Sequence, residues 1–235
     1  MGPRDEPGLR VTRLAMTVTC LALAAAACSV PPVEVGSARP AGGALGLRAE
    51  SGQYLPGDQW PDACQLLTDE ELKAILPQAE EVSRRPRGLN LTEIPDFLTG
   101  KGGGTEHIAK AGCDLGFKLP DDYDAPNSAI SIMVNAIADP ALAAKAYRQG
   151  KEQDDKIGGV VELGEEWEAE ECYSSQPTAG SQMRVSCHTG QYYFETWGHT
   201  GAELAGADAY SAASSEAFRD RVLSQVVRTL VVTMA

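Results

Sequence analysis

Four cysteines in the body of the chain, Cys64, Cys113, Cys172 and Cys187, constrain the fold more than any other feature. An even set of cysteines in an exported chain reads as a disulfide framework, here two bridges with three possible connectivities. The spacing chooses among them. Pro177-Thr178-Ala179-Gly180 is a turn signal between two strand-like stretches, and folding about Ala179-Gly180 sets residue 178 opposite 181. Counting outward sets Cys172 opposite Cys187. Directly opposed residues of antiparallel strands have Cα atoms about 4.5–5.5 Å apart, within the reach of a disulfide. Cys64 and Cys113 are then left for each other, tying the start of the first predicted helix to the first predicted strand.

The export premise comes from the first 27 residues. Arg4, Arg10 and Arg13 precede an uncharged run from Leu14 to Ala27 that ends in small residues, the layout of a secretory signal (residues 1–27). A membrane span needs about 20 apolar residues, and this run is closed by Pro31-Pro32. Ala25-Ala26-Ala27-Cys28 resembles the lipobox of bacterial lipoproteins, whose cysteine is diacylated and becomes the new N-terminus; Ala25 stands where that family usually has Leu. The resemblance implies lipidation at Cys28 and attachment to the bilayer at the outer face of the cytoplasmic membrane, plain secretion being the alternative. Two acyl chains anchor stably where one does not. Residues 28–58 then read as the lipidated cysteine and a disordered tether rich in Pro and Gly, about 30 Å in reach.

Residues 59–235 read as a single α+β extracytoplasmic domain, an antiparallel sheet flanked by helices and stapled by two disulfides. Thr68-Asp69-Glu70-Glu71 is a capping box, Leu67 and Leu72 form its hydrophobic staple, and Pro77 closes the helix. Strands are expected at 113–119 and 129–138. Asp139-Pro140 starts a helix that Gly150 stops or that frays on to Lys156. Further strands are expected at 160–163, 167–173, 183–187 and 192–197. Ser214 or Ser215 caps a last helix with Phe218, Val222, Val226 and Leu230 as its stripe. Residues 78–107, with Arg84, Arg85 and Arg87, carry no clear period.

The progression Cys64-Gln65-Leu66-Leu67-Thr68, Cys113 about 50 residues on, an Ala-Tyr helix, Val160-Val161-Glu162-Leu163-Gly164-Glu165 and a C-terminal amphipathic helix resembles a family of actinobacterial lipoproteins of unassigned function. It is more distantly similar to the extracellular sensor domains of mycobacterial Ser/Thr kinases. The resemblance spans residues 60–232. It implies a helix-flanked antiparallel sheet with a cleft and a binding role. It implies no reaction. Asp114-Leu115 stands where the family often has an aromatic residue, and the Cys172–Cys187 pair is an addition to its pattern.

Chemistry is thinly signalled. The chain carries 20 basic against 33 acidic residues, a net charge of −13, which disfavours nucleic acid as a partner. His107, His188 and His199 have no spacing that sets two ligands on one helix face, so no metal or other cofactor is expected. The Gly100–Thr105 loop lacks the phosphate-loop spacing, and no Gly-x-Ser-x-Gly elbow is present. The candidate binding residues are Glu166 and Glu168, on one face of an expected strand around Trp167, together with Trp167 itself, Tyr193 and Trp197. Alternation sets Tyr192, Phe194 and Thr196 opposite Tyr193, Glu195 and Trp197, and the set that leaves the core is the best hint of a binding surface. The expectation is a non-enzymatic, lipid-anchored envelope lipoprotein that binds a small ligand or a partner protein. The alternatives are an envelope hydrolase acting on wall glycan through paired carboxylates and a structural accessory subunit of a membrane complex.

Overall fold

A computed structural model describes residues 32–41, 43–90, 106–120, 127–176, 182–208 and 211–235. The export segment, Cys28, the Gly100–Thr105 loop and the expected turn at 177–180 lie outside them. Among the described residues no helix is long and apolar enough to cross a membrane.

Among the described residues seven strands form one sheet: β1 (Glu80–Asn90), β2 (His107–Lys118), β3 (Ser128–Ile137), β4 (Val161–Leu163), β5 (Glu171–Ser175), β6 (Arg184–Thr189) and β7 (Tyr192–His199). Their spatial order is β1-β2-β3-β7-β6-β5-β4, and each neighbouring pair is antiparallel. Four α-helices flank it: α1 (Asp69–Ile75), α2 (Pro140–Ile157), α3 (Ala212–Phe218) and α4 (Ser224–Met234). The protein is an α+β sandwich of three layers with its core divided between the two faces of the sheet.

On the first face, Leu115, Ile130, Ile132, Val185 and Phe194 meet α1 and the stripe Phe218, Val222, Val226 and Leu230 in the larger core cluster. A π-helical turn at Arg219–Leu223 joins α3 to α4, and Leu223 and Val227 are buried too, widening the stripe as ordinary helical spacing predicts. The helix begins earlier than either expected serine, with Ser211 accepting from the Ser214 N–H. On the second face, Ala143, Ala146 and Tyr147 of α2 pack on Met133, Tyr173 and Tyr193. Asp139 caps α2 as expected, and the helix runs through Gly150 to Ile157.

Both disulfides form as the counting requires. Cys172 and Cys187 are register partners of β5 and β6 with Cα atoms 4.2 Å apart, and Cys64–Cys113 joins the turn before α1 to β2.

Two expectations are corrected, and a stretch without an assignment finds its place. Residues 32–58 are not a free tether, because the compact unit begins at Pro32. This strap lies along the body, with Gly36 N–H donating to the Ile75 carbonyl at 2.8 Å, Leu45 N–H to Thr233 at 2.9 Å and Leu55 N–H to Ile137 at 2.7 Å. Val33 and Leu55 are buried beneath it. Residues 80–90, unassigned from sequence, form the edge strand β1. The expected strand at 167–173 starts only at Glu171, since Glu165–Trp167 is a 3₁₀ turn that ends on Glu168 at a left-handed φ of +62°.

Candidate functional site

The 3₁₀ turn disperses the acidic candidates. Glu166, Glu168 and Glu170 do not share a strand face. Trp167 is buried at 4% exposure in the first-face core, where it packs rather than presents. Glu166 and Glu168 instead hold α4, the carbonyl of Glu166 accepting from Arg228 at 2.8 Å and the Glu168 carboxylate pairing with the same guanidinium at 3.2 Å. Glu170 lies 3.3 Å from the His188 imidazole. The two remaining candidates are on β7, on the second face. Trp197 is half-buried with the Arg87 guanidinium over its ring at 5.3 Å, and Arg87 together with Arg85 reaches Asp114.

Tyr193 is the candidate that reaches a concave site. A cavity of about 260 Å³ lies between α2 and the sheet, lined by Asn135, Gln149, Gln153, Asp154, Arg184, Tyr193 and Glu195 with a few apolar neighbours. Local features aim these side chains. β-Strand alternation puts Tyr193 and Glu195 on the second face, and the register pairs Arg184 with Trp197 and Ser186 with Glu195. A bulge between Val134 and Ala136 makes Asn135 an extra residue in β3, the device by which strands re-aim a side chain. Gly150 brings α2 so close that a Cβ there would lie 2.5 Å from the Tyr193 hydroxyl.

The floor of the cavity is an ion triad. Arg184 Nη2 donates to Asp154 Oδ1 at 2.5 Å and to its Oδ2, while Arg184 Nη1 stands 3.8 Å from Glu195 Oε2. Asp154 also accepts from Tyr173 at 3.0 Å and Ser175 at 3.1 Å. Glu195 Oε1 accepts from Tyr193 at 2.9 Å and from Ser186 at 3.3 Å. Burial works against the Arg184 charge, but Glu195 and then Asp154 more than offset it and raise the guanidinium above its ordinary range. Burial foremost, with Glu195 adding to it, pushes the Tyr193 hydroxyl well above the usual value, and burial does the same to Tyr173 and Tyr147. The three rings pack together, Tyr147 lying 5.4 Å from Tyr173 and 5.9 Å from Tyr193.

Asp154 thus accepts at both carboxylate oxygens, and Glu195 accepts at Oε1. Among the described residues no group of three or more His, Cys, Asp or Glu side chains is placed to hold a metal ion. Sequence reasoning missed Arg184, Asp154, Gln149, Gln153 and Asn135. A signal for Asp154 existed: it shares the inward face of α2 with Ala143, Ala146, Tyr147 and Gly150, and an acid on that face needs a buried partner. No protein-family model matches the chain, and comparisons with curated proteins and with solved structures find no match either.

Proposed function

We propose that the protein is a non-enzymatic cell-envelope lipoprotein, anchored through an acylated Cys28 at the outer face of the cytoplasmic membrane, that binds a small ligand in the cavity between α2 and β6–β7. One observation carries the binding reading: the cavity is lined by one guanidinium, two carboxylates and the three carboxamides of Asn135, Gln149 and Gln153. A guanidinium and several hydroxyl and carboxamide groups around one cavity recognise a polar ligand through charge-assisted hydrogen bonds. The resemblance to actinobacterial lipoproteins, with the cleft and binding role it implies, supports the same reading.

The hydrolase rival has its own supporting fact, since Asp154 and Glu195 share the cavity. It needs one acid free to donate a proton and one carboxylate to act as base or nucleophile. Two experiments decide. A thermal-shift fragment screen is expected to yield hits on the parent that vanish in Gln149→Trp, which fills the cavity. Purified protein is expected to leave wall glycan unturned; turnover that disappears in a folded Glu195→Gln variant replaces this reading with the rival. The anchor is tested separately, by intact mass for a diacylglycerol adduct on Cys28 and by release of Cys28→Ala from membranes.

A further inference from the structure

The charge and hydrogen-bond inventory of the cavity, taken together with the binding reading above, specifies a ligand class. Among the described lining residues Arg184 is the one cation against the carboxylates of Asp154 and Glu195, a surplus of one negative charge. An uncompensated charge in a half-enclosed site is costly. The surplus can be localised. Both Asp154 oxygens are taken by Arg184, and Oδ2 accepts from Tyr173 and Ser175 as well. Glu195 Oε1 has two hydroxyl donors, but its Oε2 has Arg184 Nη1 only at 3.8 Å, beyond hydrogen-bond range. Gln149 lines the same cavity, its Oε1 is buried without a hydrogen-bond partner, and a buried acceptor in that state needs a donor.

We propose that the cavity takes the primary ammonium group of a slender amine, with Glu195 as its counter-ion and Gln149 Oε1 as a hydrogen-bond acceptor. Its three N–H donors suit a lining that holds Glu195 and the carboxamides of Gln149, Gln153 and Asn135. An anion meets two carboxylates and a guanidinium already engaged. An apolar ligand leaves Gln149 Oε1 stranded. The volume of about 260 Å³ falls just under the roughly 300–1,000 Å³ of sites that enclose drug-sized molecules, which suits a narrow alkyl amine. The net charge of −13 draws cations toward the protein as a whole.

The ammonium can belong to a free amine or to a lysyl side chain, and the probes separate these sources. Isothermal titration calorimetry on the full chain in detergent uses putrescine, Nα-acetyl-lysine methylamide, the neutral isostere 1,4-butanediol and glucose. At least one amine is expected to bind saturably and at least tenfold more tightly than either neutral probe; the tighter amine identifies the source. Glu195→Gln and Gln149→Ala are each expected to weaken it at least tenfold. Gln149→Ala keeps the test decisive even where Glu195→Gln fails to fold. Amine binding unchanged in Gln149→Ala lies elsewhere and overturns the proposal. Neutral probes binding as well as the amines overturn the ammonium class. If the fragment screen gives hits that Gln149→Trp loses and no amine binds, the ligand class fails while the binding reading stands. If neither assay gives a hit, both fail.

Discussion

At Tyr193 three constraints meet on one hydroxyl. It donates to Glu195, it lies where a side chain at Gly150 would collide with it, and it is closed off from water beneath α2. Burial first, and the adjacent carboxylate second, make its ionised form unfavourable, and Tyr147 and Tyr173 are shifted in the same direction with burial as the leading cause. The consequence for stability follows by linkage. In the unfolded chain a tyrosine loses its proton near pH ~10, while the folded protein keeps all three protons above that value. The unfolded state then binds fewer protons than the native one, so stability is fully present below about pH 10 and falls as pH climbs through the raised native values. Alkaline titration is expected to show the tyrosinate absorbance of these three residues appearing together with loss of near-UV circular dichroism. Tyr193→Phe is expected to lose about 1 kcal/mol at neutral pH, from the missing donor to Glu195, and to show a shallower decline above pH 10. Buried tyrosines that ionise near pH 10 with the dichroism intact contradict this account. That Tyr193 leaves the Phe194 face was legible, because alternation placed the two on opposite sides of the strand. Arg184 was not, because nothing in Met183–Cys187 says what an arginine on that strand will face across the sheet.

Elements were legible in proportion to how locally they are held. The α1 capping box is complete within four residues: Thr68 accepts from the Glu71 N–H, Glu71 accepts from the Thr68 N–H, and Pro77 stops the helix just past its C-cap Leu76. β1 was not legible, since as an edge strand carrying Arg84, Arg85, Pro86 and Arg87 it lacks apolar alternation; those residues are what protects an edge from pairing with other chains. The strap was the least legible, because its anchors belong to other segments. Ala38, Ala41 and Ala49 donate backbone N–H groups to the side chains of Gln225, Glu71 and Gln191, and Gln191 donates back to the Leu47 carbonyl. A Gly- and Pro-rich stretch carries no trace of these partners in its own sequence. Gly36 is its tightest point, where an added Cβ would fall 2.2 Å from the Ala74 carbonyl oxygen, a backbone atom that cannot swing away. Gly36→Val is therefore expected to lift the strap from α1 and cost roughly 1–3 kcal/mol, on the scale of overpacking. Gly43→Ala, with nothing within 4 Å of the new Cβ, is expected to change little. Limited proteolysis checks both: the valine variant is cut within residues 32–49 faster than the parent, and equal rates for all three proteins remove the strap's structural role.

At the scale of the whole molecule the two disulfides were legible because they follow from counting, and the strand order was not, because β7 inserts between β3 and β6 through contacts that only the assembled sheet defines. The bridges divide the labour. Cys172–Cys187 fastens two neighbouring strands across a separation of 15 residues, whereas Cys64–Cys113 closes 49 residues and ties the segment before α1, and with it Arg84 through its donation to the Cys64 carbonyl, to the sheet. On the loop-entropy model the shorter closure contributes about 3 kcal/mol and the longer about 4 kcal/mol. Their sum is comparable with the ~5–15 kcal/mol of a typical domain, so losing both is expected to leave the chain unfolded or nearly so. Serine pairs separate the two: replacing Cys64 and Cys113 should lower the unfolding free energy in urea more than replacing Cys172 and Cys187. Kinetics supply an independent check. Cys113, Cys172 and Cys187 are each no more than 3% exposed, so a thiolate reductant must wait for the structure to open. Under native conditions reduction of Cys172–Cys187 is expected to proceed at the opening rate, insensitive to reductant concentration once reductant is in excess, and to accelerate sharply at sub-denaturing urea. A rate that scales with reductant in native buffer means that the sulfurs are reachable without opening.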